Sequence, residues 1–475
     1  MNLFIDGQFI PPVTDQKIDV LNPATGAVID IVPCGSAEDA DRAVISAENA
    51  FQQWRKVPMA ERVRLQHAAA AALRERADEF AALLNQELGR PIAGCRREML
   101  RSADLLDYYA EEGLRLRGEM PLTNDPHTRL FVTKEPVGVV VAITPFNYPI
   151  TLLCFKLGAA LITGCTVVAK PSEETPLTTL LLAELFHSVG YPAGTFNVVT
   201  GYGREIGAAL VTHPVPRKVA FTGSTAAGKA IGKLAMDTTK RLTLEMGGQS
   251  PAIVCADADL EKAIPAMVRH AYSNSGQFCY RVNRIYVERA VYNAFVQEFA
   301  RQAGALTVGF SAECKLGPLI NKAGYDKSRA QIDDAIAKGA TLLTGGERLN
   351  DPQFASGYFL PATVLADTNH TMQIMTEETF GPVVGIMPFD DLDEAVRLAN
   401  DTCYGLAGYV FTRDTGRGLR LAESIEAGSV WINDIQRSSS LVPFGGMKES
   451  GIGREKSRHA LDEYLEMKSI YLTGA

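Results

Sequence analysis

From Val137 onward, short apolar runs rich in Val, Ile and Ala alternate with longer stretches whose apolar residues recur at helical spacing. The pattern predicts strands over 139–144, 166–170, 196–200 and 218–222. Helices are predicted between and after them, over 150–163, 176–189, 205–211 and 226–236. Regular strand–helix alternation of this kind predicts a parallel, doubly wound sheet of the dinucleotide-binding type. A second alternating region is expected from Ser250 to about Ile435. Upstream, residues 37–113 read as helical, with Ala, Leu and Glu at helical spacing and a break at Gly89-Arg90-Pro91. Residues 130–136 look like an extended arm, and 467–472 like an edge strand.

Composition narrows the picture only by exclusion. A net charge of −8 and the lack of any long basic run argue against a general polyanion binder. The amino terminus has no basic region followed by an apolar stretch, and no apolar run reaches membrane-spanning length. A cytoplasmic protein is therefore expected. The eight cysteines are scattered without a C-x-x-C pair, which fits free thiols in a reducing compartment. No histidine pair has metal-ligand spacing, so no protein-bound catalytic metal is expected.

Two segments carry chemistry. Cys279 ends Asn274-Ser275-Gly276-Gln277-Phe278-Cys279, and Glu245 lies in Leu244-Glu245-Met246-Gly247-Gly248. A lone cysteine is more often a small buried hydrophobe than a nucleophile. Cys279 differs in its small, polar neighbours, and the pair supplies a thiol and a carboxylate base. Two glycine-rich loops are weaker signals. Gly223 to Lys229 has the spacing of a P-loop, but Ala230 stands where magnesium binding needs a hydroxyl, so an NTPase is rejected. The same loop opens a helix and is able to meet a pyrophosphate with backbone N–H groups. Gly201-Tyr202-Gly203-Arg204-Glu205-Ile206-Gly207 resembles the dinucleotide fingerprint with one residue too many. Lys170 and Glu173, just after a predicted strand, are candidates for ribose contacts.

These motifs occur in one order with others. The set comprises Pro145-Phe146-Asn147-Tyr148-Pro149, Lys170-Pro171-Ser172-Glu173, Phe221-Thr222-Gly223-Ser224, the Glu245 and Cys279 segments, Glu377-Glu378-Thr379-Phe380-Gly381-Pro382 and Pro443-Phe444-Gly445-Gly446. Over nearly its whole length the chain resembles the NAD(P)-dependent aldehyde dehydrogenase superfamily. The resemblance implies an α/β fold with two doubly wound α/β domains and a small β oligomerisation arm. The dinucleotide-binding domain would take residues 1–116 and 136–247, the catalytic domain 248–445, and the arm and tail 117–135 and 446–475. A homodimer or homotetramer is implied.

The same match implies roles. Cys279 would attack the aldehyde, Asn147 and the Cys279 N–H would hold the oxyanion, and Glu245 would activate water against the thioester. Lys170, Glu173, Thr222, Gly223, Ser224, Glu378 and Phe380 match cofactor positions, and Lys156 and Glu455 match a proton relay. Members that pass the acyl group to coenzyme A tend to lack the base, so Glu245 points to a free carboxylate. Glu173 favours NAD, with NADP possible.

For the substrate, the nearest resemblance is to the succinate-semialdehyde dehydrogenase branch. That branch's substrate arginines are replaced here by Phe155 and Ser273. Tyr148, Phe155, Phe278 and Phe444 would make an aromatic funnel. Arg281 and Arg437 are alternative anion clamps, against ordinary readings of a structural ion pair and a solvated loop residue. A short semialdehyde or hydroxyaldehyde and an apolar aliphatic or aromatic aldehyde are both compatible. The rival from another class is a cysteine-dependent esterase without cofactor; it needs a histidine base, and only His270 lies near Cys279.

Overall fold

The computed structural model describes residues 1–435 and 439–474. In the first half the predicted strands form Val139–Ile143, Thr166–Lys170, Phe196–Val198 and Lys218–Thr222, joined by Arg241–Glu245. All five run parallel, in the spatial order third, second, first, fourth, fifth. Val139–Ile143, Thr166–Lys170 and Lys218–Thr222 are buried on both faces, which is why apolar residues dominate them. The order reverses between Val139–Ile143 and Lys218–Thr222, and the crevice beyond the carboxyl ends of those strands is where such sheets bind ligands. Leu3–Ile5 and Gln8–Ile10 extend one edge antiparallel, and Gly451–Ile452 the other.

The second sheet has seven strands, in the order Thr341–Thr344, Thr363–Ala366, Val383–Phe389, Val282–Glu288, Ser250–Val254, Ala407–Phe411 and Ser429–Ile432. Only Thr341–Thr344 is antiparallel to its neighbour. The chain passes from one sheet to the other between Glu245 and Ser250.

Two expectations change in detail. The helix expected at 205–211 begins earlier, as a wide π-helical turn over Gly203–Gly207 that runs into Ala208–Thr212. The wide turn accommodates the residue by which this loop exceeds the dinucleotide fingerprint. The tail 446–475 is also not one unit. Met447–Lys448 pairs with Tyr404–Gly405, and Gly451–Ile452 joins the first sheet. Only Leu465–Thr473 forms the two-stranded ribbon with Thr128–Pro136, in register from Leu465↔Pro136 to Thr473↔Thr128.

The helical segment resolves into Ala37–Trp54, Met59–Glu75, Ala77–Leu88 and Ile92–Gly113. The last of these packs on the helix Pro149–Thr163, which follows Asn147 directly. Proline opens that helix, where its missing N–H costs no bond, and nearly every residue in it is buried. Its start is fixed from outside. Glu98 accepts hydrogen bonds from the amides of Ile150 and Thr151, both 3.0 Å, at the positive end of the helix dipole. Arg90 pairs with the same carboxylate, reaches the Asn147 carbonyl at 3.5 Å and lies over the Tyr148 ring at 4.5 Å.

Glu98→Ala would leave Arg90 buried without its anion and the helix start uncapped. A loss of about 3–5 kcal/mol is expected, read as a lower urea midpoint.

Candidate active site

The turn before Cys279 is built from three successive left-handed residues, Asn274 (φ 50°), Ser275 (φ 54°) and Gly276 (φ 73°). Side-chain bonds hold it there. Asn274 Nδ2 donates to the Asn147 carbonyl at 3.1 Å, Ser275 Oγ to Gly317 O at 2.8 Å, and Gln277 Oε1 accepts from the Ile320 amide at 3.0 Å. A Cβ on Gly276 would lie 2.2 Å from the Gly381 carbonyl, so only glycine lets this turn meet the 377–382 loop. A Cβ on Gly248 would lie 2.3 Å from the Cys279 carbonyl, which brings the segment after Glu245 against the nucleophile.

Cys279 is partly exposed at the floor of a cavity of about 990 Å³. Asn147 lines the same cavity. Its side-chain amide donates one N–H to the Gln277 carbonyl at 2.9 Å, and its second N–H has no partner among the described residues. Burial, with the Glu378 and Glu245 charges, pushes the Cys279 thiol well above its ordinary range, so a base must take its proton before it reacts.

Glu245 is 2% exposed, and neither carboxylate oxygen has a hydrogen-bond partner among the described residues. Burial and the Glu455 charge raise its pKa well above the usual carboxylate value, while Lys156 and Arg454 oppose the rise. Lys156 and Glu455 form a buried ion pair at 2.5 Å, and Lys156 also donates to Thr222 Oγ1 at 2.6 Å. The two expected relay residues therefore meet, close enough to bias Glu245.

The expected cofactor residues divide. Glu173 lines a cleft of about 1320 Å³ with Tyr202, Gly203, Phe221, Ala227, Ala230 and neighbours, at the carboxyl ends of the first sheet. Lys170 pairs with Glu173 at 3.2 Å. This apolar slot with a carboxylate at its rim fits an adenosine. Ser224 caps the helix Thr225–Met236 by accepting from the Ala227 amide, and the Gly223 amide donates to Glu245 O at 3.0 Å. The Thr222 hydroxyl is taken by Lys156 and the Gly223 N–H by a carbonyl. Thr222 accepts there and keeps its own O–H to donate. Lys229 is paired with Glu449 at 2.7 Å. Glu378 accepts from the Gly248 amide at 3.0 Å, and the Phe380 ring meets Phe146 edge-on at 5.9 Å.

The four expected funnel aromatics, Tyr148, Phe155, Phe278 and Phe444, line the cavity over Cys279, joined by Tyr280. Their rings meet edge to face, Tyr148 with Phe278 at 6.4 Å and Phe155 with Phe444 at 6.2 Å. Arg281 does not line it. Its guanidinium donates to the Val383 carbonyl at 2.8 Å, to Val282 O and to Asn283 Oδ1. Both expectations for it, substrate clamp and structural ion pair, give way to a buried arginine that caps backbone carbonyls. Arg437 lies outside the described residues. His270 accepts the Val282 amide on Nδ1 at 3.2 Å, and burial lowers its pKa to about 3. It packs on Phe278 as a neutral ring and is not placed as a thiol base.

Sequence reading missed four basic residues at the cavity, Arg90, Arg97, Arg101 and Lys456. The available signal was the four-residue spacing of Arg97 and Arg101, which puts both on one helix face.

A doubly wound nucleotide fold with a thiol and an amide donor lining one cavity, and a buried carboxylate close enough to shift that thiol, defines a thiol-dependent oxidoreductase. The sequence profile of the aldehyde dehydrogenase family matches residues 9–470, and the chain belongs to that family. The chain is 39% identical to a 3-sulfolactaldehyde dehydrogenase of Pseudomonas putida, over 99% of this chain and 96% of that protein. It is 40% identical to a mitochondrial succinate-semialdehyde dehydrogenase of Arabidopsis thaliana, over 98% and 88%. A solved betaine aldehyde dehydrogenase from Staphylococcus aureus in complex with NAD+ superposes with a TM-score of 0.97 at 37% identity, over 99% and 94% of the two chains. The protein is an NAD(P)-dependent aldehyde dehydrogenase that oxidises an aldehyde to the carboxylate.

A base at Glu245 works only as the carboxylate, so its raised pKa sets an acid limb: activity falls as pH drops through that value. Glu455→Gln removes the negative neighbour that raises it and keeps a hydrogen bond to Lys156. The acid limb of the kcat/KM profile is expected to move to lower pH.

Proposed function

We propose that the enzyme oxidises a short semialdehyde or hydroxyaldehyde to the free carboxylate, with NAD preferred over NADP. The observation that carries this reading is the cavity over Cys279, whose aromatic lining is joined by the exposed Arg97 and Arg101 and by Lys456, buried in its wall. An apolar aldehyde would use the aromatic lining alone and gain nothing from those charges. The names of the semialdehyde and sulfolactaldehyde relatives support the same choice.

Chemistry follows from the residues. The Cys279 thiol gives its proton to solvent water, and the thiolate adds to the carbonyl carbon. The free N–H of the Asn147 amide and the Cys279 backbone N–H receive the oxyanion. Bound NAD(P) supplies the hydride acceptor. Glu245 then takes a proton from water, whose oxygen adds to the thioester; the carbon–sulfur bond breaks, and the acid and the Cys279 thiol are released. The buried, uncapped Glu245 suits this step, because its raised pKa makes it a stronger base than an ordinary carboxylate. Glu173 at the rim of the nucleotide cleft would repel a 2′-phosphate.

Steady-state NADH formation across matched aldehydes tests the reading. Succinate semialdehyde and lactaldehyde are expected to exceed hexanal and benzaldehyde in kcat/KM, and NAD to exceed NADP; preference for hexanal would overturn the substrate class. Cys279→Ala should abolish turnover, and Glu245→Gln should lose the steady state while keeping a single NADH burst.

The ribbon of Thr128–Pro136 and Leu465–Thr473 exposes Met467, Ile470, Tyr471 and Leu472 along a strand with an open edge. We read it as the surface that pairs with a second copy of the chain. Sedimentation velocity should show a dimer or tetramer, and Tyr471→Asp with Met467→Asp should shift it towards monomer.

A further inference from the structure

The mouth of the cavity over Cys279 carries charge that the chemistry at its floor does not use. Arg97 and Arg101 lie one turn apart on the helix Ile92–Gly113, so their heads share a face. Both are exposed and both line the cavity. Neither has an ion pair or hydrogen bond among the described residues. Their neighbours differ: Arg96 is paired with Asp78 and Arg90 with Glu98.

Lys456 completes the set from another element. It is 6% exposed, lines the same cavity and stands over the Phe155 ring at 5.8 Å. Burial and the nearby Arg101 charge lower its pKa to about 8, so the two cations feel each other. One acidic residue lines the cavity, Glu98, and its oxygens are taken by Arg90 and the amides of Ile150 and Thr151. The mouth is therefore cationic in a chain of net charge −8.

We propose that Arg97, Arg101 and Lys456 hold the terminal oxyanion of the substrate, a carboxylate, sulfonate or phosphate at the end of a short aldehyde. The inference rests on the reading of Cys279 as the nucleophile and deepens the semialdehyde assignment. With the carbonyl carbon at Cys279, the carbon chain lies between Tyr148, Phe155, Phe278 and Phe444, and the tail reaches the arginines. Two guanidinium forks suit an oxyanion with several acceptor oxygens. Phe155 and Ser273, where the resembling branch has arginines, line this cavity without charge. Here the cations come from the helix preceding the nucleotide sheet and from the segment beside Glu455.

The test uses the full enzyme and three variants, Arg97→Gln, Arg101→Gln and the double. Both positions are exposed, and thermal unfolding should be unchanged. Substrates are succinate semialdehyde, 4-oxobutane-1-sulfonate, glyceraldehyde 3-phosphate and neutral pentanal. Each single variant is expected to raise KM for the favoured charged tail by about tenfold, and the double by about a hundredfold. kcat should hold, pentanal kinetics should not change, and Arg101→Lys should recover part of the loss. The favoured tail identifies the oxyanion. Equal losses on pentanal would make the arginines merely structural and overturn the clamp. A wild-type preference for charged tails that survives in the double variant would also overturn the clamp, leaving the semialdehyde reading intact. No preference for charged tails in the wild type would overturn both.

Discussion

The buried ammonium of Lys156 is the contact on which the rest of the site depends. It lies on the helix that starts just past Asn147, and it donates both to Thr222, at the end of a central strand, and to Glu455, in the carboxyl-terminal segment. One cation thus ties three distant stretches of chain together. It also favours the ionised form of Glu455, against the burial that raises that carboxyl's pKa. Without it, two carboxyl groups would share a low-dielectric space with Arg454 near one and Lys218 near the other as the remaining cations. Removing one partner of such a pair is costly, about 3–5 kcal/mol, because the other charge stays buried.

Around that pair the fold separates rigid from reactive parts. The parallel strands and the Pro149–Thr163 helix are packed on all sides and fix where Asn147 and Glu245 sit. The reacting groups themselves stand on turns: Cys279 after a left-handed turn, Asn147 just before a helix start, Glu245 at a strand end. Asn274 and Ser275, left-handed without being glycine, carry strain of about 1–3 kcal/mol each, which the bonds from Asn274, Ser275 and Gln277 offset. Preorganisation of this kind lets the oxyanion donors stand ready before charge develops.

Much of this was legible in the chain. Alternating apolar runs gave the strand positions to within a residue or two, because strands buried on both faces have no polar positions to blur them. Cys279, Glu245 and Asn147 stood out through ordered motifs; Cys279 and Asn147 line one cavity, and the Glu245 charge is near enough to raise the Cys279 pKa. The reading of Arg281 failed because its charge suggested an anion, whereas burial beside strand ends gave it carbonyls instead. Arg97, Arg101 and Lys456 went unremarked because isolated basic residues on a helix or loop usually face water.

By itself, then, the sequence determined the elements, the family and the identity of the reacting groups, since local patterning and chemical type are written residue by residue. The tertiary structure decided which charges those groups feel and which face the substrate. Glu245 lies far along the chain from Glu455, Arg101 from Lys456, and Gly276 from Gly381, yet each pair meets. Charge effects depend on distance through space and on burial, and neither quantity exists until the chain has folded.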